Sequence, residues 1–210
     1  MRMVMATRNR GKAAELQQLL GDLAVDILTM DSFSEVPEIE ETGQTFRENA
    51  VLKAQTVARY THLPVLADDS GLAVDALGGQ PGVYSARFAG EPYNDEKNNR
   101  KLLALLKGIP PEQRTARFVS SLAFITADGL LKVTEGYCEG FILEEPRGNG
   151  GFGYDPLFYL PSLGKTMAEL SPTEKNQISH RGKALREMLP FLRQYLQQQQ
   201  EQDNGEKEEQ

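Results

Sequence analysis

The sequence has little cysteine and histidine and no long apolar run. Cys138 is the single cysteine among 210 residues, which excludes a disulfide within the chain and a zinc site built on several cysteines. No stretch approaches the roughly 20 apolar residues of a membrane span, and the apolar part of the first residues is too short for a signal peptide. We therefore expect a protein of the reducing cytoplasm with no membrane partner.

An excess of basic charge is also missing. The formal net charge is −7, and the last ten residues, EQDNGEKEEQ, hold five acids and one lysine. The rest of the chain is only slightly acidic, and it is not basic enough for a nucleic-acid groove. We expect no nucleic-acid partner, one domain over residues 1–196, and a disordered acidic tail over residues 197–210.

The spacing of apolar residues predicts a mixed α/β fold. A first strand, RMVMA, is followed by a helix with leucines at helical spacing, and PVLAD is a later strand that is expected to end at its acid. Asp128-Gly129, between two β-rich runs, predicts a hairpin. Capping boxes at 45–48 and 171–174 mark two helix starts. A crevice between two lobes would be the natural site for a ligand in this fold class.

The loop TRNRGK, residues 7–12, lies between the first strand and the first helix. Free N–H groups at a helix N-terminus suit an anion, and the basic side chains here add positive charge. The spacing of a Walker loop is absent. Phosphate binding and an ordinary strand–helix turn with solvated basic residues are both open on this loop alone.

Two adjacent acids occur in the stretch ADDSG, residues 67–71. Like charges this close repel each other, so a cation is expected beside them. The pair could bind magnesium, act as a base for a water, or cap the next turn. A third acid would favour the metal, and EIEETG, residues 38–43, supplies several on a loop that could equally be only solvated.

Two further stretches contain candidate ligand-binding side chains. GGFGYDP, residues 151–156, combines glycines that let the backbone approach a ligand with aromatic rings on which a base could stack. EKNQISHRGK, residues 174–183, holds one of the two histidines next to an arginine that could bind a phosphate or a base carbonyl bidentately. A tight loop with core aromatics, and a structural histidine, are the alternatives.

The ordered set of motifs resembles one enzyme family. ATRNRGK, EETGQTFRENAVLKA, LADDSGLAVDALGGQPGVYSARFAG, GGFGYDPLF, KTMAEL and SPTEKNQISHRGKAL follow one another from about residue 3 to residue 192. Together they resemble the inosine/xanthosine triphosphate pyrophosphatases, which split deaminated purine nucleoside triphosphates into monophosphate and pyrophosphate. The resemblance implies an elongated two-lobed α/β fold around a central sheet, a homodimer, dependence on Mg²⁺, and a purine nucleoside triphosphate as substrate.

The resemblance also implies roles for individual residues. Asp69 would be the catalytic proton acceptor that activates water, and it would share the metal with Glu41, for which Glu40 is an alternative. The implied substrate-binding residues are Thr7, Arg8, Asn9, Arg10, Gly11, Lys12, Ser70, Phe152, Gly153, Tyr154, Asp155, Lys175, His180 and Arg181. Arg8 stands where many members of the family have a small residue.

These residues predict a mechanism and leave two rivals. Magnesium with Lys12, Lys175 and Arg181 would neutralise the triphosphate, while a water oriented by the acid attacks the α-phosphorus. An aspartyl-phosphate phosphatase is disfavoured because its acids usually follow the first strand in a D-x-D pattern. A purine-nucleotide sensor without turnover is disfavoured because it has less need of a water-activating acid.

Overall fold

The chain forms a mixed sheet flanked by helices. The computed structural model describes residues 2–21, 23 and 25–208. Its strands are β1 (Arg2–Ala6), β2 (Asp26–Thr29), β3 (Val65–Val74), β4 (Thr115–Ile125), β5 (Leu131–Ile142), β6 (Phe158–Leu160) and β7 (Lys165–Thr166). Its α-helices are α1 (Arg10–Leu20), α2 (Phe46–Thr61), α3 (Asp95–Leu105), α4 (Pro172–Ile178) and α5 (His180–Glu208).

The seven strands lie in the order β2-β1-β3-β4-β5-β6-β7. β1 pairs in parallel with β2 and β3, and every later pair is antiparallel. The helices between the early strands supply the crossover connections that parallel pairing requires. The mixed α/β fold expected from the sequence is therefore confirmed, and so is the hairpin at Asp128-Gly129, where Gly129 has φ +93°.

β3 is longer than the sequence indicated. The expectation that the strand ends at the acids is wrong, because β3 continues through Asp68 and Asp69 to Val74 and pairs with β4 along all ten of its residues. Aspartate and glycine are poor strand formers, so local propensity favoured an early end. Pairing with the long β4 overrides that preference, and both acids lie inside the sheet.

Alternating side chains of β1 contribute to two separate cores. Val4 and Ala6 pack in one core with α2 residues such as Val57. Met3 and Met5 pack on the other side with α1 and α5. Successive side chains of a strand point to opposite faces, so α2 covers one face of the sheet while α1 and α5 cover the other.

The helix starts depend on side-chain caps. Ser171 and Glu174 form the expected capping box at α4, with Pro172 at the first helical position. At α2, Thr45 accepts a hydrogen bond from the N–H of Glu48, but the carboxylate of Glu48 accepts one from the N–H of Gln44 instead of completing the box. The cap at α2 is therefore only half of the predicted motif.

The C-terminal helix extends into the expected tail. α5 continues to Glu208, so residues 197–208 are helical where the sequence indicated disorder, and residues 209–210 lie outside the described residues. Glutamine, glutamate and lysine have high helix propensity, and a docked helix can propagate through them without a new nucleus. None of the helices in the described part of the chain has the length and apolar character needed to cross a membrane.

Candidate active site

The main candidate site is a cavity of about 290 Å³ at the edge of β3. The last residue pair between β1 and β3 is Ala6 with Ala67, after which β1 ends and the chain leaves the sheet. Further along, the N–H of Leu72 donates to Ser85 Oγ on the 3₁₀ segment Gly82–Arg87. Between these two points no described strand pairs with this edge of β3, and residues 69–71 form one side of the cavity.

The structure brings most of the predicted site residues to this cavity. The predicted residues that line it are Thr7, Arg8, Asn9, Lys12, Glu41, Asp69, Ser70, Phe152, Gly153, Tyr154, Asp155, Lys175, His180 and Arg181. Arg10 and Gly11 are not part of the lining. Segments that are more than 170 residues apart in the sequence therefore meet at one place.

The loop before α1 is held by its own side chains. Thr7 Oγ1 accepts a hydrogen bond from the N–H of Asn9 at 3.2 Å, and Asn9 Oδ1 caps α1 by accepting from the N–H of Lys12 at 3.1 Å. Gly11 matters through its size, because a Cβ there would lie 2.6 Å from the ring of Phe152. The loop and the aromatic residue of GGFGYDP are thus in direct contact.

A chain of alternating charges lies on the face of the sheet that carries α1 and α5. Asp68 has no side-chain exposure, and its carboxylate pairs with Lys12 at 2.9 Å and with Arg181 at 3.3 Å. Arg181 also pairs with Glu15, and Glu15 pairs with Lys175 at 2.7 Å. The chain ends at Asp155, 2.5 Å from Lys175.

A second and shorter chain of charges surrounds Asp69. Lys53 Nζ, from α2, lies 2.9 Å from Asp69 Oδ1 and 2.7 Å from Glu41 Oε1. Arg87 approaches the other oxygen of Glu41 at 3.5 Å. Side chains of the protein itself therefore supply a cation beside each of the two acids.

The two chains give the adjacent acids different titration behaviour. Burial acts to raise the pKa of Asp68, but Arg181 and Lys12 outweigh it and hold that pKa well below its usual range. Burial raises the pKa of Asp69 above its usual value, although Lys53 opposes the shift. Asp68 is thus a permanent buried anion, whereas Asp69 is the more basic carboxylate and faces the cavity.

Asp69 and Glu41 could also hold a metal ion. Asp69 Oδ2 is buried and has no hydrogen-bond partner among the described residues, so one carboxylate oxygen is free to act as a ligand. No group of three or more acidic, histidine or cysteine side chains suited to a metal occurs in the described ranges. Mg²⁺ commonly takes one or two carboxylates and completes its shell with water and substrate phosphates. Two carboxylates in a cavity that is also lined by the basic loop at residues 7–12 fit that ion.

The GGFGYDP loop presents one aromatic face to the cavity. Lys175 Nζ lies 4.8 Å from the centroid of the Phe152 ring. Tyr154 is 4% exposed, and its hydroxyl donates to the carbonyl of Ser85 at 2.8 Å, so it links two walls of the cavity. Asp155 Oδ2 accepts from the N–H of Phe152 at 2.9 Å.

His180 lies at the first position of α5 and is buried. Its ring stacks on Phe118, with 4.9 Å between centroids, and its Nδ1 has no hydrogen-bond partner among the described residues. Burial lowers the pKa of His180 well below its usual value, and Arg181 adds to the shift. The imidazole is therefore neutral at physiological pH.

Sequence reasoning missed Lys53, Glu15 and Arg87, which pair with predicted site residues, and Asp95, which lines the cavity. Lys53 lies three residues after Ala50 and four before Val57, so it occupies the buried face of α2, where a lysine needs an acidic partner. That position was a usable signal. Glu15 and Arg87 sit among residues of ordinary surface pattern, and only the tertiary contacts reveal them.

Comparison with known proteins gives consistent matches over most of the chain. The model of the Ham1 family matches residues 3–191. A dITP/XTP pyrophosphatase of Geobacillus kaustophilus is 57% identical over 182 residues, which covers 87% of this chain and 89% of the relative. A dITP/XTP pyrophosphatase of Desulforamulus reducens is 52% identical, covering 91% of this chain and 96% of the relative.

Solved structures show the same fold. A HAM1 protein from Coxiella burnetii matches with a TM-score of 0.84 at 45% identity, covering 92% of this chain and 99% of that one. The Ham1 protein of Staphylococcus aureus matches with a TM-score of 0.83 at 42% identity, covering 93% and 100%. The match therefore extends over almost the whole fold.

Proposed function

The chain belongs to the Ham1 family, and we propose that it hydrolyses non-standard purine nucleoside triphosphates (ITP, dITP and XTP) to the monophosphate and pyrophosphate. The observation that most supports this activity is the position of Asp69. Its buried carboxylate has a raised pKa and one oxygen without a hydrogen-bond partner among the described residues. It lines the same cavity as the loop at residues 7–12, which is of a type that binds anions. Such an enzyme would remove damaged nucleotides before their incorporation into DNA or RNA.

The charge balance of the cavity supports a metal-dependent reaction. A nucleoside triphosphate has about four negative charges, which must be neutralised for a nucleophile to approach. Lys12, Lys175 and Arg181 were expected to supply that neutralisation, but each is already paired with a carboxylate. Additional positive charge is therefore needed, and a divalent ion bound with the substrate provides it.

We propose Mg²⁺ as that ion, with Asp69 and Glu41 as its protein ligands. Their fit rests on the free Oδ2 atom of Asp69 and on the preference of Mg²⁺ for few carboxylates plus phosphate oxygens. When bound, the ion would polarise phosphoryl oxygens and stabilise the negative charge that develops on them. Lys53, which bridges the same two carboxylates, would keep them near each other.

In the proposed mechanism, Asp69 orients a water toward the α-phosphorus and takes its proton. Its Oδ2 atom has no hydrogen-bond partner among the described residues and the carboxylate lines the cavity, so it could accept a proton from a water bound there. The N-terminus of α1, with Thr7, Asn9 and Lys12, would bind the phosphates that leave as pyrophosphate. Oxygen from water would then appear in the nucleoside monophosphate.

Base selection is proposed to depend on the part of the cavity around Phe152 and Arg181. Phe152 offers a ring face for stacking, and Arg181 or a backbone N–H would donate to the 6-carbonyl of hypoxanthine or xanthine. Adenine carries an amino donor at that position, so a buried donor would be left unpaired at a cost of about 1–3 kcal/mol.

The resemblance to the family further supports a homodimer and a place in the cytoplasm. Light scattering of the purified protein would test the homodimer.

The direct test is pyrophosphate release from ITP, XTP, ATP and GTP, each with Mg²⁺ and with a chelator. We expect rapid release from ITP and XTP, slow release from ATP and GTP, and loss of activity without the metal. Tight binding of ITP with no pyrophosphate release would instead support a nucleotide sensor, and a trapped covalent phospho-enzyme would support an aspartyl-phosphate mechanism.

A further inference from the structure

Two side chains near the start of α3 hydrogen-bond to a single residue, Gly153, of the loop at residues 151–156. Asp95 Oδ2 accepts a hydrogen bond from the N–H of Gly153 at 2.7 Å, and Asn99 Nδ2 donates to the carbonyl of Gly153 at 2.9 Å. Asp95 and Asn99 are four residues apart, so they lie on the same face of the helix. Gly153 is therefore held at both of its backbone polar groups.

These two hydrogen bonds hold a residue in a left-handed backbone conformation. Gly153 has φ +62°, a left-handed conformation that glycine adopts at little cost. It directly follows Phe152, whose ring lies beside Lys175 and Gly11. Fixing the backbone of Gly153 therefore fixes the orientation of the ring that precedes it.

Besides Gly153, Asp95 contacts Tyr93, whose hydroxyl donates to Asp95 Oδ1. The N-cap of α3 is Asn94, which already accepts from the N–H of Lys97 at 2.8 Å, so Asp95 is not needed to begin the helix. Asn99 Oδ1 is buried and has no hydrogen-bond partner among the described residues. The orientation of that amide is thus determined by its bond to Gly153.

The same part of α3 also contacts a second segment of the cavity lining, at Ala86. Asn98 is 1% exposed; its Oδ1 accepts from the N–H of Ala89 at 2.7 Å and its Nδ2 donates to the carbonyl of Ala86 at 2.9 Å. Ala86 and Gly153 both line the cavity. One stretch of α3 therefore contacts two separate segments of the cavity lining.

We propose that Asp95 and Asn99 are positioning residues that set the affinity of the site for the purine end of the substrate. The inference rests on the proposed function, in which residues 152–155 contact the base and sugar. Both residues act through Gly153 on Phe152, and Asp95 also lines the cavity itself. They leave the triphosphate end, around Thr7 and Lys12, unchanged.

The test separates the two ends of the substrate. Calorimetric titrations with IMP, which has the base, and with inorganic tripolyphosphate, which lacks it, would be made on the wild type and on Asp95→Ala, Asp95→Asn, Asn99→Ala and Asn99→Asp. Steady-state hydrolysis of ITP gives KM and kcat for the same proteins. Glu96→Ala is the matched control, because Glu96 is also an acid of the first turn but is exposed, and among the described residues it pairs with Arg100 alone.

We expect Asp95→Ala and Asn99→Ala to weaken IMP binding and raise KM for ITP about two- to tenfold each, with kcat and tripolyphosphate binding near the wild-type values. Asp95→Asn keeps an oxygen acceptor and should restore most of the affinity. Asn99→Asp has the same shape but sets a carboxylate against the Gly153 carbonyl, so it should be the most damaging variant.

Unchanged IMP binding in both alanine variants would overturn the inference. An equal loss of IMP and tripolyphosphate binding together with a lower Tm would also overturn it, since that is the result of a merely structural role. If the wild type releases no pyrophosphate from ITP, the proposed function fails. The IMP titrations of wild type and variants would still decide whether the hydrogen bonds from Asp95 and Asn99 to Gly153 control base binding.

Discussion

Asp68 and Asp69 are adjacent in the sequence, yet their carboxylates lie on opposite faces of β3. Asp68 meets Lys12 and Arg181 from α1 and α5, whereas Asp69 meets Lys53 from α2. The pleat of the strand produces this separation, because successive side chains alternate between faces. Two charges that would repel in a turn are thus separated and individually neutralised, and this separation gives them different roles.

Asp69→Asn tests the role on the α2 face. The amide keeps the shape but cannot take a proton from water, so we expect kcat for ITP to fall about 10²- to 10⁴-fold while KM changes little. Pyrophosphate release at saturating Mg²⁺ measures both constants. Full turnover by this variant would exclude Asp69 as the base.

Asp68→Asn tests the role on the other face. Removing the carboxylate leaves Lys12 and Arg181 without their shared buried partner, so we expect a loss of about 3–5 kcal/mol in unfolding free energy. Thermal denaturation would show it as a Tm lower by roughly 10 °C. Asp75→Asn is the control, since Asp75 pairs with Arg117 at the surface and should change Tm little. Equal Tm values for the two variants would contradict the assignment.

Gly11→Ala tests the contact between the phosphate loop and Phe152. The added Cβ would lie 2.6 Å from the ring, so the ring must move and kcat/KM for ITP should fall by at least roughly tenfold. Gly21→Ala, at the other end of α1, places its Cβ no closer than 3.4 Å to a neighbour and should leave kcat/KM unchanged. Equal activity of both variants would show that the position of the ring is unimportant.

His180 should make the stability of the fold depend on pH. Burial holds its pKa well below the usual value, so below about pH 6.5 the unfolded chain binds a proton at this ring that the folded chain does not. The unfolding free energy should therefore fall as the pH is lowered, by up to about 1.4 kcal/mol per pH unit.

Urea unfolding between pH 7.5 and pH 5.5 measures this dependence. His180→Gln should flatten the dependence, whereas His62→Asn, which replaces an exposed histidine in a left-handed position, should retain it. The same slope in the wild type and His180→Gln would refute the explanation.

The sequence predicted the local elements better than their electrostatic setting. The spacing of apolar residues and the turn residues identified the first strand, the hairpin and the capped start of α4, because these features depend on residues that are near each other in the sequence. The length of β3 depended on pairing with β4, which is distant in sequence. The motifs placed most candidate residues correctly at one cavity, but the ion partners Glu15, Lys53 and Arg87 are set by tertiary contacts.

Hydrolysis of ITP in water enriched in ¹⁸O tests the central claim most directly. If Asp69 directs a water onto the α-phosphorus, mass spectrometry should find one ¹⁸O in the IMP and none in the pyrophosphate, and Asp69→Asn should suppress formation of the labelled IMP. Label in the pyrophosphate, with unlabelled IMP, would show that water attacks the β-phosphorus and would contradict the account.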